Sequence, residues 1–197
     1  VGNQSFSTNT TGDYNTALGR DALFGNTTAD SNTGVGYGSL YTNAEGTANV
    51  AVGYNALDAN TVSNNTAVGY DSLGSNTTGT GNTAVGKDAG EFATTADAST
   101  FIGFQAGQGI TGAKLTGNDN TAVGASAGLV LQGAAIRNTL VGSSAGASLT
   151  TGSKNAAVGV GALAADDLGS RSVAIGDSAL GTQNYASATD SYNTAVG

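Results

Sequence analysis

Tyr37, Tyr54 and Tyr70 each follow a glycine, at intervals of 17 and 16 residues, and Phe104 takes the same position two steps further on. If each interval is one lap of a coiled chain, the rings form a stripe about 4.8 Å apart. Such a stripe could stack on sugar rings, or its members could pack on one another. Arg137, Lys154 and Arg171 share a second position and make a ridge of like charge, open to solvent or to an anionic glycan. The carboxylates are less promising. Asp21, Asp71 and Asp88 are expected on the outer rim, and Asp166 and Asp167 are neighbours on a turn, whereas glycoside hydrolysis needs two carboxylates facing each other across a cleft. No catalytic residue is therefore assigned. The chain has no histidine and no cysteine, which removes imidazole bases, thiolate chemistry and the usual transition-metal ligands. The calcium-binding nonapeptide Gly-Gly-x-Gly-x-Asp does not recur, which leaves Asn118-Asp119-Asn120 as a weak calcium candidate. No metal and no cofactor are expected.

The element that must position these side chains is a short repeat. Asn82-Thr83-Ala84-Val85-Gly86 returns, lightly edited, from Asn15–Gly19 to Asn193–Gly197, and Val1-Gly2 ends one more copy. The closing glycines from Gly2 to Gly197 are 17, 17, 17, 16, 17, 17, 21, 18, 17, 17 and 21 residues apart. A period this short and regular predicts a solenoid in which each coil touches only its neighbours. The fold expected is all-β, a parallel β-solenoid of about eleven 17-residue coils, forming a single array over 1–197. Within it, 87–146 is a variant block, because a column of leucines turns to glycine there, and the longer spacings predict loops inserted near 108–119 and 182–192. The absence of proline suits an unbroken hydrogen-bond ladder. Fourteen acidic against six basic residues give a formal charge of -8, which argues against nucleic acid or an anionic membrane as partner. The array starts and stops at one phase of the repeat, so the chain is expected to be a portion of a longer protein.

Thr83-Ala84-Val85 alternates as a short strand with its two faces in different surroundings. The uniformly aliphatic column of Val35, Val52, Val68, Val85, Ile102, Val123, Val141, Val158 and Ile175 is expected inside the coil. Leu23, Leu40, Leu57, Leu73, Leu163 and Leu180 fill it from a second short strand. The alternate column, Ala51, Ala67, Ala84, Phe101, Ala122, Leu140 and Ala157, would then face outward. One Val and one Leu bury too little to offset ordering a whole coil, so this stripe is expected to be covered by further copies of the chain. The Asn opening each motif, replaced by Ser99 and Ser172 in two copies, is expected to bond from coil to coil as a ladder. Asn9-Thr10-Thr11-Gly12 and its counterparts supply turn chemistry.

Ser172-Val173-Ala174-Ile175-Gly176, with the many Asn-Thr-Ala-Val-Gly copies, resembles the head repeat of trimeric autotransporter adhesins. The longer unit Asn65–Gly79 is similar to the repeat shafts of bacterial and phage-type tail-fibre proteins. The resemblance covers essentially the whole chain, although the period is longer than is usual in adhesin heads. It implies a left-handed β-roll, a homotrimer, and a place on a cell surface, a phage particle or an injection-machine fibre. It also implies a structural role, carrying or displaying a receptor-binding surface. The partners implied are the chain itself and a host glycan or protein receptor, with no nucleic acid and no membrane contact. Direct glycan binding through Tyr37, Tyr54, Tyr70 and Phe104 and the inserted loops is the alternative, and a polysaccharide-degrading spike a distant third.

Overall fold

The computed structural model describes residues 1–197 and contains strands but no helix. The strands are β1 (Thr16–Leu18), β2 (Thr33–Val35), β3 (Val50–Val52), β4 (Thr66–Val68), β5 (Thr83–Val85), β6 (Thr100–Ile102) and β7 (Thr121–Val123). Then come β8 (Thr139–Val141), β9 (Ala156–Val158), β10 (Gly169–Ser170), β11 (Val173–Ile175), β12 (Thr189–Asp190) and β13 (Thr194–Val196). Eleven of them form one parallel sheet in chain order, and β10 pairs separately with β12. The register is strict: Ala67 lies beside Ala84, Ala84 beside Phe101, Phe101 beside Ala122. Each lap thus lands on the one before, and equivalent side chains form rows.

Most of the axial bonding lies outside the three-residue strands. Of 118 backbone hydrogen bonds, 97 fall in the turns and connections, and many join residues 16 to 18 apart. The whole coil circumference acts as the ladder. The repeat glycine is required by this stacking. At Gly86 φ is +137°, and a Cβ there would sit 2.3 Å from the Gly103 carbonyl oxygen of the next coil. Only glycine can occupy a backbone that passes so close to its neighbour.

The core reverses the expected faces of the strand. Ala51, Ala67, Ala84, Phe101, Ala122, Leu140 and Ala157 are completely buried inside their own coils, so they are not available to contact another chain. Val35, Val52, Val68, Val85, Ile102, Val123, Val141, Val158 and Ile175 point the other way and are half-buried to exposed, reaching 43% exposure at Ile175. The reason is the narrowness of the coil. The strand packs against the leucine column, and a Cβ at Gly34 would already lie 3.2 Å from Leu23 Cγ. There is room for Leu plus Ala, not for Leu plus Val. Leu23, Leu40, Leu57, Leu73 and Leu163 fill the interior as anticipated, but from turns with positive φ rather than from a second strand.

The variant block obeys the same volume rule from the other side. Phe101 lies between Gly90 and Gly107, where an added Cβ would approach its ring to 2.6 and 2.1 Å. Leu140 lies between Gly128 and Gly146, with approaches of 2.9 and 2.8 Å. Loss of the leucine is met by a larger residue on the facing strand, and Leu115, Leu131 and Leu149 enter the core further along the coil. Close packing rewards such paired exchanges of large and small side chains. The two long spacings stay close to the array. Around 108–119 the chain makes a small excursion closed by an Ile110–Ala113 antiparallel bridge, then rejoins at Leu115 beside Ala93 and Gly133. Around 182–192 the return is made by β12 against β10.

Candidate functional site

The residue after the repeat glycine builds the most ordered surface feature of the molecule. Tyr37 stacks on Tyr54 with ring centroids 5.1 Å apart and planes 12° from parallel. Tyr54 stacks on Tyr70 at 5.0 Å and 6°. Arg20 covers the outer side of Tyr37 at 5.6 Å, and Lys87 lies 5.3 Å from the Tyr70 ring and 5.7 Å from Phe104. The four aromatic residues singled out in the sequence are therefore in one row, with Lys87 inserted before Phe104. The row is a stack of π faces closed by cations, a favourable arrangement because each ring face carries negative potential. It leaves ring edges and hydroxyls to solvent. Both faces of Tyr37, Tyr54 and Tyr70 are already used, whereas Phe104 has one face under Lys87 and is half exposed.

The cations of the row are held by carboxylates that are not on the rim. Asp21 and Asp88 are each only 6% exposed, tucked beneath their neighbours. Arg20 Nε lies 3.1 Å from Asp21 Oδ2, and Lys87 Nζ lies 2.5 Å from Asp88 Oδ2. The hydrogen bond to Asp88 holds the Lys87 ammonium above its ordinary pKa. Asp71, in the same column, is open enough to feel solvent; burial first, then the charges of Glu91 and Asp88, push its carboxyl upward. Its negative charge is the main reason that the Tyr70 phenol is raised as well.

The opening Asn column forms a ladder, mostly from amide to backbone, with amide-to-amide bonds added where Asn138 Nδ2 donates to Asn120 Oδ1 at 3.1 Å and Asn155 Nδ2 to Asn138 Oδ1 at 3.2 Å. Asn65 Oδ1 accepts the backbone N–H of Asn82 at 2.9 Å, and Asn82 Oδ1 accepts that of Ser99 at 2.9 Å. The amide nitrogen donates into the facing turn, as from Asn82 Nδ2 to the Ala96 carbonyl at 2.6 Å. Ser99 Oγ carries the ladder on by accepting the Asn120 N–H at 3.2 Å. A second buried column, Asn26, Asn43, Asn60 and Asn76, was missed at this role. Asn43 Nδ2 donates to the Gly46 carbonyl, and Asn76 Nδ2 to both the Gly79 carbonyl and Asn60 Oδ1. Its signal was present as Asn recurring three residues after the core leucine, at Leu23, Leu40, Leu57 and Leu73, read only as turn chemistry.

The remaining candidates do not converge on a reacting point. Arg137 and Arg171 pair with Asp119 and Asp190 at 3.6 and 3.0 Å, and Lys154 between them is exposed. Asp166 is fully buried; Oδ1 accepts the Gly169 N–H and Oδ2 accepts from Gln183 Nε2. At the calcium candidate, Asn118 Oδ1 accepts from the Asp97 N–H, Asp119 faces Arg137, and Asn120 belongs to the ladder. No group of three or more carboxylates is placed to hold a metal ion.

The outer face of the eleven-stranded sheet is a further continuous surface. Its two columns are the Val–Ile row and, two residues earlier on each strand, Thr33, Thr66, Thr83, Thr100, Thr121 and their counterparts. Val85, Ile102, Val158 and Ile175 are all exposed at their tips, forming an apolar, β-branched stripe about 50 Å long. The strands of this face carry no charged residue. In comparisons with known protein families, curated proteins and solved structures, no match to the chain is found.

Proposed function

We propose that the chain is a rigid structural segment of an extracellular fibre, working as a homotrimer whose subunits meet through the outer Val–Thr sheet face. The observation that carries this reading is the uncovered apolar stripe itself. Its length and regularity exceed what single-chain packing uses, and contiguous exposed apolar surface of this extent marks an interaction face. The resemblance of the repeats to adhesin heads and fibre shafts supports the same reading. Identical rows on identical chains give a self-complementary surface without any adaptation of sequence, and a closed cyclic assembly buries it in every subunit. The mechanical role follows from the bonding. Backbone ladders and buried Asn columns run along the axis, so tension along the fibre is shared by many hydrogen bonds in each coil.

Sedimentation equilibrium of the native chain tests the assembly. The expected mass is three times 19.0 kDa, about 57 kDa. Val85→Asp together with Val123→Asp should give a folded monomer, since both side chains lie outside the coil. A native chain that sediments as a folded 19.0 kDa monomer at all concentrations refutes the reading. Direct glycan binding by the tyrosine row gains no support from the geometry, because the ring faces are paired.

A further inference from the structure

A second aromatic column lies four residues beyond the tyrosine row, and it ends differently. Phe24 stacks on Tyr41 with centroids 5.1 Å apart and planes 9° from parallel. In the next three coils this column continues with Asp58, Gly74 and Glu91, stacked through the Thr42-to-Asp58, Ala59-to-Gly74 and Ser75-to-Glu91 backbone hydrogen bonds. One face of Tyr41 is covered by Phe24; the other looks along the axis toward Asp58. Here the surface opens into a groove made of two connected hollows. The first, about 260 Å³, is walled by Tyr37, Tyr41 and Tyr54 over Gly38. The second, about 180 Å³, is walled by Asp58, Asp71 and Glu91 over Gly74, and Asn55 and Asp58 belong to both.

The neighbouring row shows which chemistry such a column takes. There an aromatic stack is closed by Lys87, set between the Tyr70 and Phe104 rings with its ammonium on Asp88. The groove repeats the aromatic face and the carboxylates, but the chain supplies no cation to them. Lys87 is committed to Asp88, and the other carboxylates of the groove have no ion-pair partner. The acids do not converge tightly enough for a metal ion. They are instead spread along the axis, Asp58, Asp71 and Glu91 in successive coils, about 5 Å apart per step.

We propose that this groove binds an aliphatic polyamine, with one ammonium on the open face of Tyr41 beside Asp58, the next beside Asp71 and a third beside Glu91. Ammonium groups separated by three or four methylenes lie roughly 5 to 6 Å apart at ordinary covalent dimensions, close to the coil step. Lysines on one face of an extended peptide recur every two residues, about 6.7 Å, and fall out of step within two coils. The methylene chain passes over Gly74, where no side chain stands in its way, and the Tyr41 ring contributes a cation–π contact. The residues lining the site lie in turns, outside the strands.

The test is calorimetric titration of the full chain with spermidine near physiological salt. Saturable binding of one spermidine per chain is expected. Tyr41→Ala and Asp58→Asn should each weaken it at least tenfold. Gly74→Leu should abolish it while leaving the thermal unfolding midpoint unchanged, because φ there is ordinary and equivalent coils carry Phe24, Tyr41 and Leu129 at that position. Unsaturable binding, indifference to Gly74→Leu, or displacement by magnesium at equal charge overturns the proposal. Tighter binding of tetralysine than of spermidine assigns the groove to a basic peptide and likewise overturns it.

Discussion

At the scale of single residues, the fold asks for unusual backbone and supports it by stacking. Twenty-six non-glycine residues have positive φ, among them Leu23, Leu40, Leu57 and Leu73, because each coil turns through left-handed positions. Such residues cost of order 1–3 kcal/mol each. Where the side chain fills the core, as with the leucines, burial offsets the strain. Ala48 has φ of 56° and is exposed, so nothing offsets it there. Ala48→Gly should therefore stabilise the chain by about 0.5–1 kcal/mol, contrary to the usual sign of that exchange; a lower urea midpoint would contradict this. Asp71 is a second exception. Its folded pKa is raised by burial and by Glu91 and Asp88, so just above the ordinary carboxylate range the folded state holds more of its proton than the unfolded state does. Its contribution to stability consequently rises as pH falls from 7 into that interval. Asp71→Asn should raise the unfolding midpoint at pH 7, with the gain shrinking as pH approaches about 4. A gain that grows on acidification would show the shift to have the opposite sign.

At the scale of the element, one coil is a closed hydrogen-bond circuit with a fixed interior volume. Asn82 illustrates the circuit, since its amide satisfies the buried N–H of Ser99 and the carbonyl of Ala96. Asn82→Ala strands both groups, and each unsatisfied buried group costs about 1–3 kcal/mol. A loss of roughly 2–4 kcal/mol is expected in urea unfolding, with Asn82→Ser milder because Ser99 already serves as an acceptor in this column. Equal losses for the two variants would remove the ladder from the account. The period, the Thr-Ala-Val strand of each coil and the Asn ladder were legible in the sequence, because stacking forces every coil to repeat the same residue types at the same height; the leucine column, expected on a second strand, is a turn. Which strand face points inward was not legible. A uniform column of valines and a uniform column of alanines are equally periodic, and alternation separates two faces without saying which is inside. The deciding evidence was the compensation of Phe101 by Gly90 and Gly107, and of Leu140 by Gly128 and Gly146, which only residues sharing one core would show. The tyrosine stripe was legible as a row. That its faces are consumed by neighbouring rings and by Arg20 and Lys87 depends on side-chain rotation about bonds that spacing does not fix.

At the scale of the whole molecule, the reversal of faces moves the proposed subunit contact from the alanine column to the Val–Ile and Thr columns. The same sheet that fills the coil with alanines presents its β-branched side chains outward along the full stack. A fibre built this way gains stiffness from axial ladders and lateral cohesion from one continuous face. Because the chain contains no cysteine, the arrangement can be read by thiol labelling of two single-site variants, Ala84→Cys and Val85→Cys, over a range of chain concentrations. The account predicts that a thiol at position 84 stays unreactive at every concentration at which the chain is folded, while one at position 85 reacts readily in dilute solution and is progressively shielded as chains associate. Reaction at position 84 as fast as at position 85 would contradict it.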